Sequence, residues 1–284
     1  MQGANAIPGG KRQRGANAKE GANTADTRRR RNLKHMSTRT AVVTGASTGI
    51  GRATALVLAE AGFTVYAVAR REDRLAALAE ENAAIRPKAL DITDEQAVAA
   101  LAAEVAEAGG AECLVNISGG ARGTERVAEA VTEDWDWMLR VNVLGTMTMT
   151  RAFLPQLRQG RGTVLNLTST AAIVGYEGGA GYNAAKFAER GFTRALRLEE
   201  AEHDVRVIEL LPGMVRTEEF SLMRMHGDQA AADKVYEGVA EPLTAEDVAD
   251  VIRYAVTVPH HVSLDEIVLR PVAQAAQHKV IRRL

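Results

Sequence analysis

The chain contains a single cysteine, Cys113, among its 284 residues. One thiol cannot close an intramolecular disulfide or build a cysteine-based metal cluster, so a disulfide-stapled secreted scaffold is excluded. Aromatic residues make up only 4% of the sequence, which leaves few platforms on which single-stranded nucleic acid could stack. No uncharged apolar run approaches the roughly 18 residues that a membrane-spanning helix requires. The six histidines lack metal-ligand spacing such as HExxH, so no metal site is predicted.

Residues 1–35 differ in charge from the rest of the chain. They hold nine Lys or Arg against Glu20 and Asp26, a net charge of +7, and the overall charge of −1 leaves −8 for the remaining 249 residues. The segment has few large apolar residues and repeats a small motif (GANA, GANA, GANT), so we expect a disordered basic tail. Its composition allows three interpretations: vector-encoded or upstream sequence, a targeting peptide, or a nucleic-acid-binding arm.

Residues 36–284 have the pattern of one folded α/β domain, and hydrophobic residues make up 46% of the chain. Strands are predicted at 40–44, 64–68, 88–90, 113–117, 163–168, 205–211 and 266–269. Helices are predicted at 51–61, 73–81, 94–108, 132–157 and 182–200. This alternation implies a single Rossmann-type doubly wound parallel sheet with helices on both faces. An apolar signal-peptide core is missing, so we expect a cytoplasmic protein.

A glycine-rich turn follows the first predicted strand directly. Residues 44–51 read TGASTGIG, and a helical pattern begins at once. Glycine permits a sharp backbone turn and the close approach of a ligand. A helix N-terminus adds free N–H donors and the positive end of the helix dipole. We therefore predict a pyrophosphate-binding turn, with an ordinary strand-to-helix turn as the alternative, because the spacing is not GxGxxG.

From this turn to the C-terminus the sequence resembles the short-chain dehydrogenase/reductase family. The turn matches that family's TGxxxGxG, residues 116–119 (NISG) stand where the family has NNAG, and residues 212–217 (PGMVRT) match its PGxVxT segment. The resemblance implies hydride transfer between an alcohol or carbonyl and a nicotinamide cofactor. It implies cofactor contacts at Gly45, Ser47, Thr48, Gly49, Ile50, Gly51, Asp91, Ile92, Asn116, Ser118, Gly119, Tyr182, Lys186, Pro212, Gly213, Val215 and Thr217.

Four residues fall at the family's catalytic positions, namely Asn142, Ser169, Tyr182 and Lys186. Tyr182 and Lys186 are four apart and share a helix face, so the ammonium is expected to lower the tyrosine pKa from about 10. Tyr182 would then exchange a proton with the substrate oxygen, which the Ser169 hydroxyl polarises. The resemblance also implies that Lys186 bonds the nicotinamide ribose and that Asn142 supports a proton-relay water. Taken singly, each residue also has an ordinary structural explanation.

The residues after the second predicted strand favour NADP over NAD. An NAD site has Asp or Glu there to bond the ribose 2′-hydroxyl, whereas this chain has Arg70 and Arg71. A guanidinium binds a 2′-phosphate through charge-assisted forked hydrogen bonds. Both arginines precede a helix whose dipole disfavours cations, so an anion is expected nearby. Local pairing with Glu72 and Asp73 is the alternative.

The C-terminal third is similar to a narrower branch, the NADP-dependent 3-hydroxy acid (serine-type) dehydrogenases. This similarity is carried by residues 217–220 (TEEF), 243–248 (LTAEDV) and 266–271 (EIVLRP). It implies a small 3-hydroxy acid substrate whose carboxylate meets Arg224, with a solvated or Glu-paired arginine as the alternative. The family also uses residues 218–226 as a lid, and it forms dimers and tetramers, so a homotetramer is implied.

Two functional classes stay open at this point. One is an NADP-dependent oxidoreductase acting on a small-molecule alcohol or carbonyl. The other is a catalytically silent nucleotide-binding module that the basic tail tethers to nucleic acid. The Ser169, Tyr182 and Lys186 set favours the enzyme, and the acidic body repels a polyanion. Neither nucleic acid nor a membrane is expected as a partner.

Overall fold

The computed structural model describes Gly3 and residues 39–283. Residues 39–283 belong to one compact unit. Apart from Gly3, the predicted basic tail at 1–35 lies outside the described residues, as do residues 36–38, where the folded domain was expected to start.

The described chain contains a seven-stranded parallel sheet with the order β3-β2-β1-β4-β5-β6-β7. The strands are β1 (Arg39–Thr44), β2 (Phe63–Ala69), β3 (Ile85–Ala89), β4 (Cys113–Asn116), β5 (Thr163–Leu167), β6 (Arg206–Pro212) and β7 (Glu266–Leu269). Strands β1 to β3 run outward in one direction and strands β4 to β7 in the other, so the strand order reverses between β1 and β4. In doubly wound sheets a ligand binds outside the carboxyl ends of the strands at such a switch point. The predicted Rossmann-type fold is confirmed.

Helices connect the strands and cover both faces of the sheet. They are α1 (Gly49–Glu60), α2 (Glu72–Glu81), α3 (Glu95–Glu107), α4 (Thr132–Leu139), α5 (Thr146–Gly160), α6 (Ala180–Glu200), α7 (Phe220–Arg224), α8 (Gln229–Lys234) and α9 (Ala245–Thr257). Beyond the sheet, β8 (Gln274–Ala276) and β9 (Lys279–Val280) form an antiparallel pair. Within residues 39–283, none of the helices combines the length and the apolar character that crossing a bilayer demands.

The core consists of two apolar layers, one on each face of the sheet. Val43 of β1 packs with Leu58 and Ile252 on one face, from α1 and α9. The preceding residue of the strand, Val42, packs with Leu101 and Phe153 on the other face, from α3 and α5. Successive strand residues point to opposite faces, so a strand buried on both sides must be apolar throughout. This explains the continuous apolar runs in the sequence.

Several predicted elements differ from the observed ones. The third strand begins at Ile85 rather than 88 and contains Pro87, which is tolerated because β3 is an edge strand. The long helix predicted at 132–157 is interrupted by a π-helical segment, Arg140–Gly145. Helix α9 and the β8–β9 pair were not predicted. The signal for α9 was present, since Thr244 and Asp247 form a capping box and Val248, Ile252 and Ala255 follow at helical spacing.

Candidate active site

The glycine turn at the carboxyl end of β1 has a shape that side chains would block. Gly45 and Gly49 have φ of +69° and +51°, values that L-residues rarely adopt. A Cβ on Gly51 would collide with the carbonyl oxygen of Gly45. The hydroxyl of Thr44 accepts hydrogen bonds from the backbone N–H groups of Ile117 and Ser118, both at 2.9 Å. These contacts hold the turn against the end of β4, and the N-terminus of α1 follows directly.

The N-terminus of α1 has the character of an anion site. Its first turn contains no acidic residue, and its N-cap, Thr48, makes no side-chain capping bond. The free N–H groups and the positive end of the dipole therefore meet no carboxylate from their own turn. Ile50 and Gly51 lie in this first turn, at the position predicted to receive a pyrophosphate.

Arg71 reaches the glycine turn from the end of β2. Its guanidinium donates to the hydroxyl of Ser47 at 2.9 Å and to that of Thr48 at 3.4 Å. It also forms an ion pair with Glu219. Arg70, the other predicted phosphate ligand, is exposed. Of the two arginines, the structure brings Arg71 to the predicted pyrophosphate turn.

Three further residues predicted to contact the cofactor lie after β3 (Asp91 and Ile92) and at the end of β4 (Asn116). The Asp91 carboxylate accepts bonds from the N–H and the hydroxyl of Thr93, at 2.9 and 2.8 Å. The side chain of Ile92 is buried, and a Cβ on Gly145 would collide with it. The side-chain amide of Asn116 donates to Asn166 at 2.9 Å and to Thr150 at 3.2 Å. The side chain of Asn116 therefore points into the protein interior, where it links β4 to β5 and α5.

The predicted catalytic side chains meet at the carboxyl end of β5. Tyr182 and Lys186 lie on α6, and the Lys186 Nζ is 5.9 Å from the centre of the Tyr182 ring. The Ser169 hydroxyl lies near the Tyr182 phenol and favours its ionised form, and Ser169 caps the short 3₁₀ turn after β5. Only 7% of Tyr182 and 4% of Lys186 are exposed. The three side chains that the sequence singled out are thus brought together, with Tyr182 and Lys186 buried and Ser169 half-buried.

The predicted direction of the tyrosine pKa is wrong. Burial raises the pKa of Tyr182, and the attraction of the phenolate to Lys186 offsets this only in part. The sequence reasoning counted the ammonium but not the loss of solvent around the phenol. For Lys186, burial disfavours the ammonium, but its attraction to Glu189 and Tyr182 prevails, so the lysine pKa is raised. Lys186 therefore stays charged.

Asn142 lies in the π-helical segment between α4 and α5, and it is buried. Its amide nitrogen donates to the backbone oxygens of Gly120 and Met138 at 3.0 and 2.8 Å. Its amide oxygen accepts from the N–H of Gly120 at 3.1 Å. A Cβ on Gly119 would collide with that same oxygen. Asn142 thus clamps the chain that leaves β4, and π-helical turns often occur at functional sites.

The predicted nicotinamide-covering segment leaves β6 at Pro212. A Cβ on Gly213 would collide with the side chain of Gln274, whose amide oxygen accepts from the Met214 N–H at 2.8 Å. Val215 forms an isolated parallel bridge with Leu243. The side chain of Thr217 faces Gly49, where an added Cβ would come within 3.3 Å of it. The segment therefore returns to the glycine turn.

Two side chains of the predicted lid, Phe220 and Arg224, contact the ring of Tyr182. The Arg224 guanidinium donates to the Tyr176 hydroxyl at 2.8 Å and to the Gly178 carbonyl at 3.0 Å. It also lies 6.0 Å from the centre of the Tyr182 ring. Phe220 packs edge-on against the same ring, with centroids 5.7 Å apart. A small pocket beside Tyr182 has a lining that includes Arg122, Asp134 and residues 178–182.

Sequence reasoning missed three residues of this region. Glu189 lies one turn after Lys186 and is paired with it at 2.6 Å. Its signal was available, because a carboxylate at i+3 from a lysine shares its helix face. Glu219, the partner of Arg71, and Gln274, which holds the Met214 N–H, are far from their partners in sequence. No local pattern reveals such pairs.

Comparison with known proteins agrees with this geometry. The profile of the family described as short chain dehydrogenase matches residues 39–226. An uncharacterized oxidoreductase of Mycobacterium tuberculosis is 52% identical over 239 residues, covering 84% of this chain and 93% of the relative. The NADP-dependent 3-hydroxy acid dehydrogenase of Schizosaccharomyces pombe is 36% identical over 259 residues, 88% of this chain and 99% of the relative.

A solved structure gives the same result. The closed form of serine dehydrogenase complexed with NADP⁺ superimposes with a TM-score of 0.81 at 34% identity, covering 86% of this chain and all of that one. The resemblance found in the sequence is confirmed by the family profile and by these relatives. The chain belongs to the short-chain dehydrogenase family.

Proposed function

We propose that this protein is an NADP-dependent oxidoreductase that interconverts an alcohol and a carbonyl, with Tyr182 as the acid/base and a small 3-hydroxy acid as the substrate. The observation that carries the proposal is the meeting of Tyr182, Lys186 and Ser169 at the end of β5, where the phenol and the amine are buried. The catalytic domain is proposed to comprise residues 36–284. The silent-module alternative gives no reason for burying a phenol and an amine together beside a serine hydroxyl.

The residues at the switch point fit a dinucleotide. A Cβ on Gly45, Gly49 or Gly51 would press against neighbouring protein atoms, so glycine is what allows this tight turn, and α1 presents its N-terminus there. Arg71 is the residue proposed to take the 2′-phosphate, since it already reaches Ser47 and Thr48 of the turn. The names of the relatives support NADP. When bound, NADPH would supply the hydride for reduction of the carbonyl, and NADP⁺ would accept the hydride in oxidation of the alcohol.

The reacting oxygen is proposed to lie between the hydroxyls of Tyr182 and Ser169. In the reductive direction Tyr182 donates its proton to the oxygen that becomes the alcohol, and Ser169 donates a hydrogen bond that polarises it. In oxidation Tyr182 takes the proton back. Lys186 makes the phenolate form accessible despite burial, because its positive charge favours the ionised phenol. It is also proposed to hold the nicotinamide ribose, and Asn142 the water of a proton relay.

Arg224 is the residue proposed to recognise a substrate carboxylate. Its guanidinium lies 6.0 Å from the centre of the Tyr182 ring and donates to the Tyr176 hydroxyl. A substrate carboxylate bound there would form charge-assisted hydrogen bonds with the guanidinium. Two of the relatives described above are named for serine and for 3-hydroxy acids, which supports the same class.

A homotetramer is the assembly we propose. Exposed apolar side chains lie on the two helical stretches through which the family assembles, and they include Leu144, Phe187 and Leu198. Covering such side chains by association is favourable. Size-exclusion chromatography with light scattering decides this point, and a monomer at micromolar concentration would contradict it.

The proposed function is tested by measuring NADPH consumption against a panel of carbonyl compounds, and NADP reduction against 3-hydroxy acids and plain alcohols. The expected result is turnover that is preferred with NADP and is lost in Tyr182→Phe, while NADPH binding, followed by its fluorescence, persists. Arg224→Gln should raise KM for the hydroxy acids but leave KM for uncharged alcohols nearly unchanged. Normal turnover in Tyr182→Phe would contradict the role of the tyrosine.

A further inference from the structure

The amine of Lys186 contacts a second buried ionisable group, the carboxylate of Glu189. Its Nζ is 2.6 Å from Oε2 of Glu189 and donates at 3.1 Å to the Leu167 carbonyl. Glu189 is 1% exposed and lies one turn further along α6. The catalytic lysine is therefore one half of an ion pair that is withdrawn from solvent on both sides.

The other charged groups near Glu189 belong to a separate network. Glu209 of β6 faces it and raises its pKa, but Glu209 accepts a hydrogen bond from Thr168 at 2.8 Å. The cation nearest to Glu209 is Arg190, at 3.8 Å, which also bonds Glu266 of β7. Arg194 bonds the same Glu266. Among the described residues, Lys186 is the cation paired with Glu189.

A buried ammonium without a counter-charge loses its proton readily. Burial disfavours the charged form of lysine and can lower its pKa by several units. The Leu167 carbonyl is a neutral partner, so it compensates for only part of this cost. Burial also raises the pKa of Glu189, to about 7, so that its carboxylate is charged above that pH. The pair is thus present in the alkaline range in which the tyrosine ionises.

We propose that Glu189 is a positioning residue that keeps Lys186 protonated and directed towards Tyr182. Its importance for turnover rests on the proposed function, whereas its effect on the ionisation of Tyr182 does not. The ammonium is the stronger influence on the phenol, because Lys186 is close to the Tyr182 ring and Glu189 lies behind Lys186. Loss of Glu189 therefore acts on Tyr182 mainly by discharging the lysine.

The test compares Glu189→Gln with a matched control, Glu200→Gln. Glu200 ends the same helix, about 20 Å along it from Lys186, and is equally buried and paired with an arginine, Arg158, at 2.6 Å. The phenolate absorbance of Tyr182 is titrated against pH, after subtraction of the same protein carrying Tyr182→Phe. The expected result is a rise of about one unit or more in the apparent tyrosine pKa in Glu189→Gln and no change in Glu200→Gln.

An unchanged or lowered tyrosine pKa in Glu189→Gln would overturn the proposal, and this readout needs no turnover. Should Glu189→Gln not fold, Glu189→Asp keeps the charge but moves it one methylene away from Nζ. It is expected to shift the tyrosine pKa upward by a smaller amount, and a downward shift would overturn the proposal equally.

The pH profile of kcat for alcohol oxidation provides the functional readout. Because oxidation requires the phenolate, the acid limb should move to higher pH in Glu189→Gln by a similar interval, with substrate KM changed by no more than about twofold. An acid limb that coincides with that of the Glu200→Gln control would refute the proposal. If the wild-type protein itself has no turnover, the proposed function fails, and the titration still decides the role of Glu189.

Discussion

Arg71 and Glu219 form an ion pair across 148 residues of sequence. Arg71 ends the stretch after β2 and contacts the glycine turn, whereas Glu219 immediately precedes α7. Their neighbours repeat the arrangement, since Arg74 pairs with Glu218 at 3.0 Å. The segment that carries Arg224 and Phe220 is thereby tied to the residues proposed to bind the 2′-phosphate. Binding of an anion at Arg71 must compete with the Glu219 carboxylate.

The first prediction concerns Glu219. The Glu219→Gln variant removes the competing charge, so the affinity for NADP should rise about fivefold, as expected for a partly exposed ion pair. The affinity for NAD, which lacks the 2′-phosphate, should stay the same. Titration of the free protein with each cofactor, followed by fluorescence or calorimetry, checks this. Glu218→Gln is the control and should affect NADP less; equal NADP affinity in wild type and Glu219→Gln would contradict the competition.

The second prediction distinguishes the two arginines. Arg71→Ala should weaken NADP binding by roughly 10- to 100-fold, because charge-assisted hydrogen bonds to a phosphate are lost. NAD binding should change by about threefold at most. Arg70→Ala is the matched control, and its effect should be smaller because Arg70 is exposed and Arg71 contacts the turn. A larger loss of NADP affinity in Arg70→Ala would reverse the assignment.

The third prediction concerns Ser169, whose side chain favours the ionised form of Tyr182. In Ser169→Ala we expect kcat to fall by about 10²- to 10³-fold, as when one donor to a developing oxyanion is removed. Cofactor affinity should remain within a factor of about two. Thr170→Val is the control, since the Thr170 hydroxyl donates to Gln277 at 2.7 Å instead. Steady-state kinetics on both variants settle the matter, and a comparable loss in Thr170→Val would speak against a special role for Ser169.

The fourth prediction is a pH dependence of stability. The hydrogen bond from Arg158 lowers the pKa of Glu200, so the folded protein holds this carboxylate ionised more firmly than the unfolded chain does. The stabilisation is fully present above the unfolded pKa of about 4.3 and is lost as pH falls through the folded pKa. Glu200→Gln should therefore lower the free energy of unfolding by about 1 kcal/mol at neutral pH, because the partner Arg158 is partly exposed.

Urea unfolding of wild type and Glu200→Gln, at pH 7 and near pH 4, measures this difference. The gap in the free energy of unfolding should narrow as the pH falls, because protonation removes the charge from the wild-type side chain as well. A gap that is constant with pH would show that the pair does not depend on the charge of Glu200.

Local pattern accounts for most of the fold and for the identity of the candidate catalytic set. The strands β1, β2 and β4–β7 lie within one residue of their predicted bounds, because strands buried on both faces carry continuous apolar runs. The glycine turn, Ser169, Tyr182 and Lys186 were found from motif and spacing. Each of these features is encoded within a few residues of chain, so no knowledge of distant contacts was needed.

Other features depend on residues that meet only when the chain folds. The side chain of Asn116 turns inward to Asn166, and Arg71 finds Glu219, although neither partner is near in sequence. The predicted lowering of the Tyr182 pKa was wrong for the same reason, since the pKa is raised in the folded protein. The spacing of Tyr182 and Lys186 reports their mutual attraction, but solvent exclusion and the charge of Glu189 arise from packing.

The sequence by itself determined the order of strands and helices, the turn proposed to bind a phosphate and the three side chains proposed to act on the reacting oxygen. Only the tertiary structure decided which arginine reaches that turn, where Gln274 closes on the segment after β6, and how strongly the phenol holds its proton. The physical reason is the distance along the chain over which each effect acts. Backbone conformation follows from neighbours along the chain, whereas burial and electrostatic energy are sums over everything that surrounds a group in space.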